Sequence, residues 1–360
     1  MQSWIQINGR KIGQGHPVYI IAEISANHNA DFKQALKLVK AAKEAGADAV
    51  KLQTYTADTL TIDCENEYFR IKGGTLWDNR TLYGLYQEAY TPWEWQPKLK
   101  KKAEDLEIDL FSSPFDSTAV EFLERMNVPA YKVASCEIVD IALIEKIAQT
   151  GKPVIMSTGM ATLDEIQDAI TAAQKAGAKE IALMKCTSAY PAPPEEMNLN
   201  TIPALSKHFQ LPVGLSDHTL GYFVAVAAVA VGASLIEKHF TLSRKVPGPD
   251  SVFSLEPEEF KAMVDTVRVT EKALGEVRYG PSGQEVKSRV FRRSLFVIAD
   301  IKKGEKLTEQ NIRSIRPGYG LSPKYLKEVM GLRANQDIVR GTPLQWLHVA
   351  KTSARNEDFR

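Results

Sequence analysis

The sequence predicts an α/β protein, a closed (β/α)8 barrel followed by a small, separately folded C-terminal domain. Three observations predict it. Eight short apolar segments alternate with helical ones over the first ~275 residues, the pattern of parallel βα units. Polar residues recur at the carboxyl end of nearly every apolar segment. Beyond Gly275 the pattern changes, and Asp300–Leu307 (DIKKGEKL) is echoed by Asp337–Leu344 (DIVRGTPL).

Residues 4–12 alternate apolar and polar around Asn8-Gly9, a hairpin signal because both residues tolerate positive φ. Val18–Ser25 is the first barrel strand. Asp31 caps the helix that follows, and Gly46 stops it. Ala49–Tyr55 is strand two, and 56–90 reads as a long irregular stretch. Thr91-Pro92-Trp93-Glu94 reads as a capping box with proline at the first helical position. Leu110–Phe115, Ala130–Ser135 and Pro153–Thr158 are strands three to five. Thr162-x-x-Glu165 is a second capping box. Ile181–Thr187, Val213–Leu215 and Leu235–Ile236 are strands six to eight, and a helix over Pro257–Leu274 ends the series. An open doubly wound sheet would need a glycine-rich phosphate loop after strand one; AEISANHN has none. The expected domains are a catalytic barrel over 1–275, a linker over 276–290 containing Gly-Pro-Ser-Gly, a second domain over 291–350 and a disordered tail over 351–360.

The 360 residues carry 45 Lys+Arg against 44 Asp+Glu. That near-neutral balance argues against a broad nucleic-acid or acidic-membrane binder. The longest small-apolar run, Phe223–Ala233, is too short to span a bilayer. The three cysteines, Cys64, Cys136 and Cys186, lack CxxC spacing and read as reduced thiols of a cytoplasmic protein.

The chemistry lies at the strand ends. Glu23, Lys51 with Gln53, Ser112 with Ser113, Lys132 with Ser135, Ser157 with Thr158, Lys185 with Ser188, Ser216 with His218 and Glu237 with His239 all face one end. Such strand ends are where (β/α)8 barrels place their active sites. His218 and His239 end consecutive strands, which lie roughly 5 Å apart, so both imidazoles can reach one metal ion. The bland alternative is a pair of core histidines bonded to backbone. With no thiolate signature, Mn2+ or Mg2+ with open positions for substrate fits best, acting as a Lewis acid on a carbonyl. Three readings stay open for Lys51, Lys132 and Lys185: ion pairs with Glu23, Glu137 or Glu237, a Schiff-base amine, or an anion pocket with the neighbouring serines. Glu23 is a candidate acid or base. Cys186 reads as a buried structural thiol. Trp77, Trp93 and Trp95 offer either a sugar-stacking surface or packing for a loop and helix.

The ordered series AEISANH (22–28), VKLQT (50–54), SSPFD (112–116), YKVAS (131–135), KPVIMSTGM (152–160), LMKCTSAYP (183–191), GLSDH (214–218) and IEKHF (236–240) resembles the sialic acid synthase family. Residues 294–349, with DIKKGEKLT and RPGYGL, resemble its antifreeze-like SAF domain, of β-clip fold. The resemblance covers nearly the whole chain. It implies a TIM barrel that condenses phosphoenolpyruvate with an N-acylated aldose. It resolves the lysines toward anion binding: Lys51, Ser113, Lys132, Ser135, Ser157, Ser188 and Ser216 would hold phosphoenolpyruvate. His218 and His239 would hold a divalent metal, Mn2+ first, with Mg2+ or Co2+ as alternatives. Glu23 would be the acid/base group. Gln53, Tyr190 and Asp250 would face the sugar, with Arg316 supplied by the partner subunit of a domain-swapped homodimer. The segments KGGTLWD, EAYTPWEW and FSLEPEEFKAMVD resemble most the branch whose sugar is a 2,4-diacetamido-2,4,6-trideoxy-altrose. The alternatives are the sugars leading to N-acetylneuraminic or legionaminic acid, or a carbohydrate-binding barrel without catalysis. Two positions depart from the family pattern: Asn29-Ala30 replaces the usual x-Gly after Asn-His, and Ser188 replaces asparagine after Cys-Thr.

Overall fold

The computed structural model describes residues 4–350, and the expected tail over 351–360 lies outside them. The chain divides into two compact units at Gly275.

The first unit opens with a hairpin, β1 (Trp4–Ile7) and β2 (Arg10–Gly13). Asn8 and Gly9 both take positive φ, as a tight two-residue turn requires. The hairpin buries Ile5, Ile7 and Ile12 and closes the amino-terminal end of the barrel. There the Gln6 amide donates to Glu180 Oε1 at 2.8 Å, and Asn8 Nδ2 donates to Asp109 Oδ1 at 2.6 Å.

Eight strands follow: β3 (Tyr19–Glu23), β4 (Ala49–Thr54), β5 (Asp109–Pro114), β6 (Tyr131–Val133), β7 (Val154–Ser157), β8 (Ile181–Cys186), β9 (Val213–Asp217) and β10 (Leu235–His239). They form a closed parallel barrel in chain order, β10 pairing back onto β3. Most strand residues are buried on both faces, which explains their continuous apolar runs. Between the strands lie helices whose caps the sequence supplies. Asp31, Asp116 and Asp140 accept amides at helix starts, and Thr162 with Glu165 forms the expected capping box. No helix among the described residues is long and apolar enough to cross a membrane.

Two local expectations fail. Thr91 does not cap a helix: its hydroxyl bonds His28 Nε2 at 3.1 Å, and the helix instead begins at Gln96 after a 3-10 turn, Trp93–Trp95. The stretch 56–90 is not wholly irregular. Thr56 and Thr81 cap short helices, Ala57–Leu60 and Leu82–Ala89.

In the second unit a short helix, Gly283–Ser288, precedes an antiparallel pair, β11 (Ser294–Val297) and β12 (Ile312–Ile315). The repeated octapeptides meet at an Ile301–Ile338 bridge. Asp300 accepts the Arg340 amide at 2.7 Å, and Asp337 accepts the Lys303 amide at 2.8 Å. Gly304 and Gly341 both take positive φ, and Leu307 and Leu344 are both fully buried. Each octapeptide therefore ties down the other's turn.

Candidate active site

The carboxyl ends of β3–β10 form a cup. Its floor is a chain of four charges. Glu23, fully buried, accepts the Ser25 amide at 2.7 Å through Oε1 and pairs with Lys51 Nζ through Oε2. Lys51 also stands 3.5 Å from Glu237 Oε1, and Lys132 stands 3.5 Å from Glu237 Oε2. The order is Glu23–Lys51–Glu237–Lys132. Barrel register builds this row, because Glu23 pairs with His239 on one side and Lys51 on the other.

Burial acts first on each charge, and the neighbours then decide its direction. Glu23 is pushed up by burial, which Lys51 only partly offsets. Burial would raise Glu237 too, but Lys132 and Lys51 together hold it below the usual carboxylate range. Lys51 faces two carboxylates and is raised despite burial. Lys132 has one carboxylate within ion-pair distance, and burial lowers it. Of the two carboxylates, Glu23 is thus the one more ready to carry a proton.

Hydroxyls surround the floor. Ser113 Oγ accepts from Lys51 at 3.3 Å, and Ser216 Oγ donates to Glu237 Oε1 at 3.3 Å. Buried Ser157 Oγ has no hydrogen-bond partner among the described residues. Ser135 and Ser188 meet over Gly159, where a Cβ would stand 2.6 Å and 2.4 Å from their Oγ atoms. Lys185 bonds Thr187 Oγ1 at the rim.

Above the floor stand His218 and His239, ring centroids 5.3 Å apart. His218 Nδ1 lies 3.1 Å from the Thr187 carbonyl, which fixes the proton on Nδ1 and leaves Nε2 as the lone-pair nitrogen. His239 is held neutral by burial and by nearby positive groups, His218 first. Its buried Nδ1 has no hydrogen-bond partner among the described residues. His218, which burial lowers, is raised overall by its Cys186 contact and the Thr187 carbonyl, and the imidazole pair suits a divalent cation that would take the place of a proton there. No cluster of three His, Cys, Asp or Glu side chains placed for a metal occurs among the described residues, so other positions would fall to substrate and water.

One wall is aromatic. Tyr190 packs on His218 at 4.5 Å, Phe253 on His239 at 4.8 Å, and Trp77 leans on Tyr190 at 5.5 Å. Trp77 Nε1 donates to the Pro249 carbonyl at 3.1 Å, which pins the 56–90 loop beside Asp250. Asp250 joins a second network there: Gln53 Nε2 donates to Ser25 Oγ at 3.0 Å, and Ser25 Oγ donates to Asp250 Oδ2 at 2.5 Å.

The structure therefore brings together Glu23, Lys51, Lys132, Ser113 and Ser216, and places His218, His239 and Tyr190 above them. Gln53 and Asp250 join through Ser25. Arg316 belongs to the other compact unit, where it is exposed. Tyr68 is exposed, and Arg70 Nε donates to the Glu65 carbonyl at 3.1 Å. Trp93 packs on Phe122, and Trp95 on His28 and Phe32.

The residue reading underrated Glu237, Ser25, Phe253 and Gly159. Glu237 had a signal: it lies two residues before His239 and so shares its face of the strand. Cys186 also differs from expectation. It is buried, but its Sγ lies 3.8 Å from His218 Nδ1, and its thiol is lowered to about 7; burial pushes it up while the His218 contact pulls it down.

The sequence pattern of the NeuB family matches residues 38–279, two thirds of the chain, and the SAF domain pattern matches residues 292–350. The chain belongs to the NeuB family. Within that family it is 49% identical to the pseudaminic acid synthase of Helicobacter pylori over 91% of this chain and 96% of that one. It is 37% identical to the N,N'-diacetyllegionaminic acid synthase of Legionella pneumophila, over 96% of this chain and 98% of that one. Among NeuB-like structures, the N-acetylneuraminic acid synthetase of Leptospira borgpetersenii matches with a TM-score of 0.72 at 32% identity, over 80% of this chain and 95% of that one.

Proposed function

We infer that the chain condenses phosphoenolpyruvate with 2,4-diacetamido-2,4,6-trideoxy-altrose to give pseudaminic acid and phosphate. The likeness to the Helicobacter pylori synthase over nearly the whole of both chains carries this reading. The cup's chemistry supports it: two buried lysines and a ring of hydroxyls for a doubly anionic substrate, and two imidazoles beside an aromatic wall for an aldose.

Phosphoenolpyruvate lies on the floor, its carboxylate and phosphate against Lys51, Lys132 and the hydroxyls of Ser113, Ser135, Ser157, Ser188 and Ser216. Their fixed dipoles and charges need little reorganisation as charge moves. A divalent cation held by His218 and His239, Mn2+ first and Mg2+ or Co2+ as alternatives, would polarise the aldehyde oxygen. The enol carbon C3 attacks the aldehyde carbon, and a water adds at C2. The tetrahedral intermediate then loses phosphate by C–O cleavage and leaves a 2-keto acid. Glu23 serves as the acid/base group for the added water, and protonating it leaves the four-charge floor net positive for its anionic substrate. Gln53, Tyr190 and Asp250 orient the sugar. Trp77 and Tyr190 offer an apolar face to the deoxy carbon and acetamido methyls of the proposed sugar.

The reading extends to a homodimer in which Arg316 of one subunit serves the barrel of the other. Three free cysteines and a phosphoenolpyruvate substrate support a cytoplasmic location.

The test is phosphate release from phosphoenolpyruvate with Mn2+, comparing 2,4-diacetamido-2,4,6-trideoxy-altrose with N-acetylmannosamine. Release only with the first sugar is expected. Release with N-acetylmannosamine moves the chain to the N-acetylneuraminic branch. Binding of both sugars without release overturns the catalytic reading.

A further inference from the structure

Directly behind the two imidazoles lies a second ion pair that the reaction does not use. Asp217 precedes His218, and Lys238 precedes His239. The two are register partners across β9 and β10. Strand alternation turns Lys238 away from the cup into which Glu237 and His239 point. Both side chains are fully excluded from solvent.

Their bonds converge on the backbone around His218. Lys238 Nζ donates to Asp217 Oδ2 at 2.9 Å and to the Thr219 carbonyl at 2.5 Å. Asp217 Oδ1 accepts both the Thr219 amide at 2.9 Å and the Thr219 hydroxyl at 2.8 Å. The residues on either side of His218 are thereby clamped to the strand that carries His239. A fully buried ion pair is a poor source of stability, since well-packed apolar residues often serve as well or better. What an apolar pair cannot supply is these directed bonds to residue 219.

We propose that Asp217 and Lys238 are positioning residues that set the separation and angle of His218 and His239, and hence the affinity for the divalent cation. The inference rests on the metal reading of that pair. Groups that orient metal ligands from behind typically change metal affinity 10–100-fold when removed.

The test compares the unaltered protein with the double variant Asp217→Leu/Lys238→Met and with Asp217→Asn, which keeps a carbonyl oxygen for Thr219 but loses the charge facing Lys238. Three quantities are read: the Mn2+ dissociation constant by electron paramagnetic resonance, the KM for phosphoenolpyruvate at saturating Mn2+, and thermal unfolding in chelator. The expected result is a folded double variant whose Mn2+ dissociation constant rises ~10-fold or more while the phosphoenolpyruvate KM stays within about twofold. Asp217→Asn should move the same way. Unchanged Mn2+ affinity in a folded variant overturns the proposal. So does a parallel weakening of Mn2+ and phosphoenolpyruvate affinity that tracks lost thermal stability, the mark of general loosening. If the double variant does not fold, Asp217→Asn decides. Failure of the unaltered protein to bind Mn2+ overturns the metal reading itself, and this inference with it.

Discussion

Lys51 faces two buried carboxylates at once, so its loss leaves Glu23 without its ion-pair partner and Glu237 with Lys132 alone. Lys51→Met is expected to cost ~3 kcal/mol of stability in urea unfolding and to lower kcat/KM for phosphoenolpyruvate at least ~100-fold. Gly159→Ala would drive a methyl between the Ser135 and Ser188 hydroxyls, and steady-state kinetics should show a raised phosphoenolpyruvate KM with little change in the sugar KM. Glu137 gives a pH signature. Burial raises it to about 7, and its Oε2 has no hydrogen-bond partner among the described residues. The folded state therefore binds a proton more tightly than the unfolded state between about pH 4.5 and 7, so stability falls as pH rises through that window. Glu137→Gln should remove the loss, gaining up to ~3 kcal/mol over the unaltered protein at pH 8 and little at pH 4. Urea titrations at the two pH values check this. Residue types told which side chains are polar at strand ends, and so they named Lys51 and Glu23. They could not reveal Gly159, whose importance is a missing methyl beside two hydroxyls from other loops.

Elements were legible where local chemistry decides them. The Asn8-Gly9 turn, the Thr162 capping box and the helix Pro257–Leu274 form as read, because each depends on a few adjacent residues. The failed cap at Thr91 shows the limit: a histidine distant in sequence claims the hydroxyl. The 56–90 loop was illegible for the same reason, since its placement depends on Trp77 reaching Pro249. That tether predicts where sugar selectivity resides. Trp77→Ala should shrink the preference for the 6-deoxy diacetamido sugar over N-acetylmannosamine by about tenfold, the scale of one or two methyl contacts in an apolar pocket. Competition kinetics with both sugars would measure it, and an unchanged ratio would place selectivity elsewhere.

At the scale of the molecule, the barrel was legible because its alternation runs through the chain in order, whereas a subunit arrangement leaves no periodic trace. The proposed shared-site dimer makes a sharp prediction. Glu23→Gln and Arg316→Ala chains should each be inactive alone. Unfolded together and refolded, they should recover about a quarter of full activity, because only mixed dimers hold one site with both groups. No recovery would mean each subunit serves itself. Barrel closure carries a last consequence. Glu23 and His239 are neighbours across β3 and β10, the first and last strands of the barrel. A chain emerging from the ribosome holds most of the groups proposed to bind the anion long before it can complete the cup, and closure must bring together segments at the extremes of contact order. Until β10 docks, Glu23 has no wall on that side. The complete cup therefore exists only once the last strand has been made and has docked.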